Sequence, residues 1–90
     1  MRSHTEEIEL INKLGLHTRA AAKFVRLAAQ FKSEVTLTWN GETVNGKSIM
    51  GILMLAAARG SKLLLTVRGD DWQKAFAALK DLVQDGFGEK

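Results

Sequence analysis

Ninety residues make one small domain, and 46% hydrophobic with 26% charged residues is the balance of an ordinary globule, too apolar for disorder. The absence of cysteine excludes a disulfide framework and a thiolate metal site, and no apolar run approaches the ~20 residues that span a bilayer. A net charge of +3 suits an acidic protein partner at least as well as nucleic acid.

The opening residues, Met1 to Glu7, lack the apolar core of a signal peptide, so the cytoplasm is the expected compartment and His4 is expected to be solvated. Glu7-Ile8-Glu9-Leu10 alternates polar and apolar residues as a half-buried strand should. Gly15 breaks the pattern, and a helix follows from Thr18. Ala20, Phe24, Leu27 and Phe31 keep the spacing of one buried stripe, and Arg19, Lys23, Arg26 and Gln30 form a basic stripe beside it. Val35, Leu37 and Trp39 alternate with threonines in a second strand. Asn40-Gly41 is a strong hairpin signal, and Glu42-Thr43-Val44 is the return strand. Ser48 suits the N-cap of a helix that turns Ile49, Ile52, Leu53 and Ala56 inward and ends at Arg59-Gly60. Leu63, Leu65 and Val67 mark a fourth strand. Asp70 and Asp71 place acid at the positive end of a last helix, whose buried stripe is Trp72, Ala75, Phe76, Leu79, Leu82 and Val83, with Gly86 as its C-terminal cap.

The order βαββαβα, with its hairpin as the one tight strand-to-strand link, predicts a single α+β domain over residues 1–90: an antiparallel sheet with helices covering one face. A βαββαβ core also fits ferredoxin-like folds. No cluster of Asp, Glu and His has metal-ligand spacing and no glycine-rich phosphate loop is present, so neither metal nor cofactor is expected.

His17 stands where the first strand hands over to a helix, one of only two histidines in the chain. A neutral imidazole is a nucleophile near pH 7, and the first turn of a helix offers unpaired N–H groups to an anion, here those of Thr18 and Arg19. The guanidinium of Arg19 adds a planar donor for the same oxygens. A nucleophile beside an anion cradle suggests a group that is phosphorylated and passes the phosphoryl on. Most helix N-termini do no chemistry, so a capping or surface histidine is the plainer reading of this spacing.

Gly15-Leu16-His17-Thr18-Arg19 closely resembles the active-site signature of HPr, the histidine-containing phosphocarrier family of the bacterial phosphotransferase system. Gly46-Lys47-Ser48-Ile49-Met50-Gly51, about 30 residues on, resembles that family's regulatory-serine segment, and the likeness covers nearly the whole chain in order and length. The resemblance implies an open-faced β-sandwich, a four-stranded antiparallel sheet with three helices on one face. It implies that His17 takes a phosphoryl group from enzyme I on Nδ1 and delivers it to an enzyme II A-domain or a related regulator. Residue chemistry alone leaves the reacting nitrogen open. It implies too that Ser48, besides capping a helix, is phosphorylated by a bifunctional kinase/phosphorylase. The chain departs from the family where Ala20 replaces the usual proline and where Leu14 precedes the glycine. Asn12-Lys13-Leu14-Gly15 and the ending Gly86-Phe87-Gly88-Glu89 look similar to the nitrogen-related branch, so a nitrogen-related A-domain protein is an alternative acceptor.

Lys23 and Arg26 are expected to steer acidic partners, and Ile49, Met50 and Leu53, too many apolar neighbours for one buried face, to dock them. The protein is expected to be a monomer, with neither nucleic acid nor membrane insertion in its role. The rival is a non-catalytic βαββαβ module that binds nucleic acid or protein through the basic helix stripe.

Overall fold

The computed structural model describes residues 2–89. Its elements follow in the order β1 (Ser3–Glu9), α1 (Thr18–Ala28), β2 (Glu34–Trp39), β3 (Glu42–Asn45), α2 (Ile49–Leu55), β4 (Lys62–Arg68) and α3 (Trp72–Gln84), with a short 3₁₀ turn over Gly86–Gly88. The four strands form one antiparallel sheet in the order β1-β4-β2-β3, the expected α+β, open-faced arrangement.

Register explains why only one face is covered. Leu63, Leu65 and Val67 of the central β4 point the same way. Ile8 lies opposite Leu63, Leu37 opposite Leu65, and Val35 opposite Val67. These buried side chains meet Phe24 of α1, Ile52 and Leu55 of α2, and Ala75, Phe76, Leu79 and Val83 of α3 in one core. The other face is polar. Thr5, Thr66, Thr36 and Asn45 stand in one cross-strand row and Glu7, Leu64, Thr38 and Thr43 in the next, with hydroxyl pairs joining Thr5 to Thr66 and Thr38 to Thr43. A polar face needs no cover, so the sheet stays open on that side. The β2–β3 hairpin turns on Asn40 (φ 54°) and Gly41 (φ 82°), both left-handed as a two-residue type I′ turn requires.

Two expectations are corrected. His4 is not a solvated tail residue. β1 begins at Ser3, and His4 faces the helices, stacked on Trp72 (centroids 5.2 Å apart) and edge-on to Phe76 (4.6 Å). Its Nε2 lies 2.7 Å from Glu6, which accepts in turn from Lys80 at 3.0 Å. Polar residues at the inward positions of an edge strand hid this half of β1 from the alternation pattern. They are tolerated because Trp72, Phe76 and Lys80, spaced one turn apart on α3, cover and pair them. Secondly, α2 stops at Leu55 instead of running to Arg59-Gly60. Ala56 takes the left-handed conformation (φ 53°) and its N–H closes the helix on the Leu53 carbonyl. The alanines that follow are good helix formers, but their backbone is claimed by the segment before α1, and tertiary pairing overrides propensity. The buried stripe of this short helix is accordingly Ile52 and Leu55, with Ile49 38% exposed and Ala56 exposed. Asp71 stands at the start of α3, where acid was expected, without a side-chain cap. Its carboxylate instead accepts from the N–H of Lys32 (2.8 Å), the N–H of Ser33 (3.0 Å) and the Ser33 hydroxyl, tying the loop before β2 to the start of α3.

Those donors, the Ser33 hydroxyl first and the Lys32 N–H next, outweigh the opposing effect of burial and hold the Asp71 carboxyl below its usual range. A depressed folded value contributes stability that is complete above the unfolded value and lost as pH falls through the folded one. Asp71→Asn is therefore expected to melt below wild type at neutral pH, with the Tm gap closing as pH drops below about 4. Thermal melts of both proteins across the acid range check this, and a gap that does not depend on pH would contradict it.

Candidate functional site

The site is built by a segment that has no regular structure of its own. After β1, Leu10 pairs with the loop before β4: its N–H donates to Ser61 (3.0 Å) and its carbonyl accepts from Gly60 (2.7 Å). The chain then turns over Asn12–Gly15, closed by Gly15 N–H to the Asn12 carbonyl (3.1 Å) and by the Asn12 side-chain amide to the Gly15 carbonyl (2.7 Å). Leu16 is buried, and its N–H donates to the Ala57 carbonyl at 3.0 Å. Gly15 is required twice over. Its φ is +64°, and a Cβ there would lie 2.5 Å from the Ala57 carbonyl oxygen and 2.8 Å from the Ala58 Cα.

That pinned turn leaves His17 as the N-cap of α1, in an extended conformation (φ −81°, ψ 176°), its side chain making no capping bond. The first intrahelical bond runs from Ala21 N–H to the His17 carbonyl (2.9 Å). Thr18 and Arg19 precede it, both exposed, so their N–H groups sit at the free end of the helix. Ala20, where the family has proline, is wholly buried, so its N–H adds nothing to the surface donors, and the helix starts at Thr18 without the ring. His17 and Arg19 line one shallow cleft together with Lys13, Leu14, Lys23, Arg59 and the C-terminal segment from Gln84 to Glu89. Four of these side chains are cationic, and Asp85 and Glu89 are the acids among them.

Glu89 went unassigned in the sequence as a site residue. Its carboxylate accepts from His17, Nε2 to Oε2 at 2.5 Å, and from the side-chain amide of Asn12 at 3.2 Å. The side chains of His17 and Glu89 are 26% and 18% exposed, so the pair is shielded without being sealed. The hydrogen bond from His17 is the main cause that holds the Glu89 carboxyl below its usual range. The Asn12 bond and the charges of His17 and Lys23 act the same way, against burial. Asn12 is itself buried and its Oδ1 has no partner. A single glutamate near a chain end carries no sequence signal that separates it from a solvated tail.

Other expected residues fall in different places. Lys23 is half-buried and its ammonium donates to the Phe87 carbonyl at 2.6 Å, an internal partner the basic-stripe reading did not foresee. Arg26 is exposed in the last turn of α1. Ser48 caps α2 as expected, its Oγ accepting from Gly51 N–H at 3.0 Å. Met50 and Met54 are 70% and 72% exposed, one turn apart on α2, whereas Leu53 is half-buried against the core. Among the described residues no helix is long and apolar enough to cross a membrane.

Comparison with known proteins places this arrangement. The family model described as "PTS HPr component phosphorylation site" matches residues 4–85. The Phosphocarrier protein HPr of Neisseria meningitidis serogroup A is 56% identical over 84 residues, which cover 93% of this chain and 94% of that protein. The crystal structure of HPr-C-His from Thermoanaerobacter tengcongensis superposes with a TM-score of 0.90 at 43% identity, covering 100% of this chain and 99% of that one. A crystal structure of an HPr dimer from the same organism matches with a TM-score of 0.78 at 45% identity, over 91% of this chain and 94% of that one.

The packing at Gly15 can be tested against a control. Gly15→Ala combines left-handed strain of about 1–2 kcal/mol with a backbone clash that cannot relax, so a Tm drop of roughly 5–15 °C is expected. Gly60→Ala, at φ +88° with nothing within 4 Å of the new methyl, should suffer the strain alone and fall less. Equal losses in paired melts would show that the contact with Ala57 does not constrain the turn.

Proposed function

The chain belongs to the HPr family of phosphocarrier proteins of the phosphotransferase system, and from that premise we propose that His17 accepts a phosphoryl group from phosphorylated enzyme I and passes it to an enzyme II A-domain or a nitrogen-related A-domain protein. The observation that carries this reading is the position of the imidazole. His17 is the N-cap of an eleven-residue helix, its side chain unused for capping and open to a cleft lined by Lys13, Arg19, Lys23 and Arg59. A phosphoryl group on the ring meets the positive end of the helix dipole and the N–H groups of Thr18 and Arg19. Arg19 supplies a mobile, bidentate donor from the exposed side. No metal or cofactor enters this scheme, because the electrophile arrives already attached to the donor protein.

The protein is a carrier in the cytoplasm and no enzyme in the strict sense: it returns to its starting form only when a second protein takes the phosphoryl group away. All residues of the site come from one chain, so a monomer suffices. Partners dock on the exposed Arg26 and on the apolar surface of Ile49, Met50 and the uncovered edge of Leu53. Lys23, with its ammonium on the Phe87 carbonyl, contributes charge to this surface but is less free to reach a partner. Methionine at an exposed position adapts to more than one partner surface.

Ser48 is the regulatory phosphorylation site, recognised by a kinase/phosphorylase of the kind that acts on related carriers. Its Oγ lies at the start of α2, where a phosphate's nearly two negative charges are tolerated by the fold and sit beside Ile49 and Met50, where a partner must bury apolar surface.

His17→Ala is expected to fold and to take up no phosphoryl group from enzyme I and phosphoenolpyruvate. Acid-labile phosphate on that variant at wild-type stoichiometry, or on His4, would overturn the assignment. For Ser48, Tm and the rate of His17 phosphorylation are measured together. Ser48→Ala should lose its cap, about 1 kcal/mol and hence roughly 4–8 °C in Tm, and react at the wild-type rate. Ser48→Asp should stay folded and react more slowly. An Asp variant as fast as wild type would leave Ser48 a cap alone.

A further inference from the structure

We propose that the loop edge of the His17 cleft, made of Ile11, Lys13, Leu14 and Arg59, is a docking surface that selects the phosphoryl donor: it receives an apolar side chain of enzyme I flanked by carboxylates. The proposal rests on the carrier reading and adds to it a contact outside α1 and α2.

Two apolar side chains stand in water here without a structural reason. Leu14 is 65% exposed and Ile11 48%. The turn needs a left-handed residue at Gly15 alone, and Leu14 takes no part in the core. Ile11 packs on the tail by one side only, since a Cβ on Gly86 would lie 3.8 Å from its Cγ1. A single exposed leucine is ordinary on a protein surface. These two side chains, however, line the same shallow cleft as His17, so a protein that closes over the imidazole covers them as well. Apolar area removed from water in that step favours the complex.

The edge is preformed. Arg59 belongs to the loop before β4, and that loop is stitched to the segment carrying Ile11 and Leu14. Leu10 N–H donates to the Ser61 carbonyl at 3.0 Å, Gly60 N–H to the Leu10 carbonyl at 2.7 Å, and Leu16 N–H to the Ala57 carbonyl at 3.0 Å. Gly15 lies against Ala57 and Ala58 with no room for a side chain. Docking therefore orders side chains on a fixed backbone, which keeps its entropic cost low.

Charge identifies the occupant. Lys13 and Arg59 are exposed, and among the described residues neither takes part in an ion pair. Two free cations beside two apolar side chains fit an apolar residue flanked by Asp or Glu. The same count separates donor from acceptor. Four cations and two carboxylates line the cleft, a surplus of two positive charges. A phosphoryl group on His17 removes at least one of them. An acid-rimmed surface is thus held more strongly by the bare carrier. That is the form the donor meets, whereas the acceptor meets the loaded one.

The test uses the full chain as wild type, Leu14→Asn, Leu14→Met and Arg59→Gln. All three positions of change lie on exposed side chains, so melts should stay within roughly 4 °C of wild type. Initial rates of phosphorylation by phosphorylated enzyme I are followed against carrier concentration. Leu14→Asn should raise KM about 5- to 30-fold, the scale of a buried apolar contact, with kcat unchanged. Leu14→Met, still apolar, should recover most of the wild-type KM. Arg59→Gln should raise KM by a smaller factor at low ionic strength, and the excess should vanish at high salt. Delivery from the phosphorylated variants to an A-domain should keep its wild-type KM. Calorimetric titration with unphosphorylated enzyme I reads docking without chemistry and should rank the four proteins in the same order. A wild-type KM for Leu14→Asn, a loss in kcat instead of KM, or an equal loss in delivery to the A-domain would each overturn the proposal. If wild type bound enzyme I through Leu14 yet took no phosphoryl group, the carrier reading would fall and the docking surface would stand.

Discussion

His17 is presented to solvent because Gly15 lies against the backbone of Ala57 and Ala58 with no room for a side chain between them. Everything else at the site follows from that close approach. It lets Leu16 donate to the Ala57 carbonyl and bury its side chain, and the next residue must then leave the core at the start of α1. It also explains the shortness of α2. The alanines after Leu55 would continue a helix on propensity alone, but a helical Ala57 would turn its carbonyl along the axis, away from Leu16. The left-handed Ala56 is the cost of keeping that carbonyl available. The helix capped by Ser48 and the turn carrying His17 are thus joined through three residues of backbone, besides whatever a partner contacts on both.

Charge is divided in the cleft according to what moves. Lys13, Arg19 and Arg59 line it as exposed side chains. The Glu89 carboxylate bonds the ring and the Asn12 amide, and the Lys23 ammonium bonds the tail, all within the molecule. Screening by water weakens the first set more than the second. Salt should therefore act on encounter with partners and much less on the orientation of the imidazole.

Most of this fold could be read from residue order. Alternation marked the later strands, Asn40-Gly41 the hairpin, and one apolar stripe each marked α1 and α3. His17, Arg19 and Ser48 lay in motifs whose local setting the structure reproduces: a helix start for His17, a bonded cap for Ser48. What escaped was long-range pairing of polar groups. His4 and Glu6 look like a solvated tail until Trp72, Phe76 and Lys80 arrive from the other end of the chain to cover them. Asp71 reads only as acid at a helix start, yet its carboxylate serves Ser33 across 38 residues. Glu89 is 72 residues from His17. Local periodicity reports which face of an element is apolar. It carries no information on which distant polar atoms will satisfy one another, and the site depends on those.

A carrier must give up what it accepts, and this limits how well it may hold the phosphoryl group. Contacts that stabilised phosphohistidine more than the transition state would lower one barrier only to raise the next. The observed site is restrained in this sense. In the proposed scheme its donors to the phosphoryl oxygens are two exposed N–H groups and an exposed arginine, each able to exchange with water or with a partner's groups. The ring itself is bonded at Nε2, to Glu89 at 2.5 Å. Full enclosure of the phosphoryl group would suit an enzyme intermediate that never leaves its site. An open, exposed front suits a group that, in the proposed scheme, two different proteins must each be able to reach.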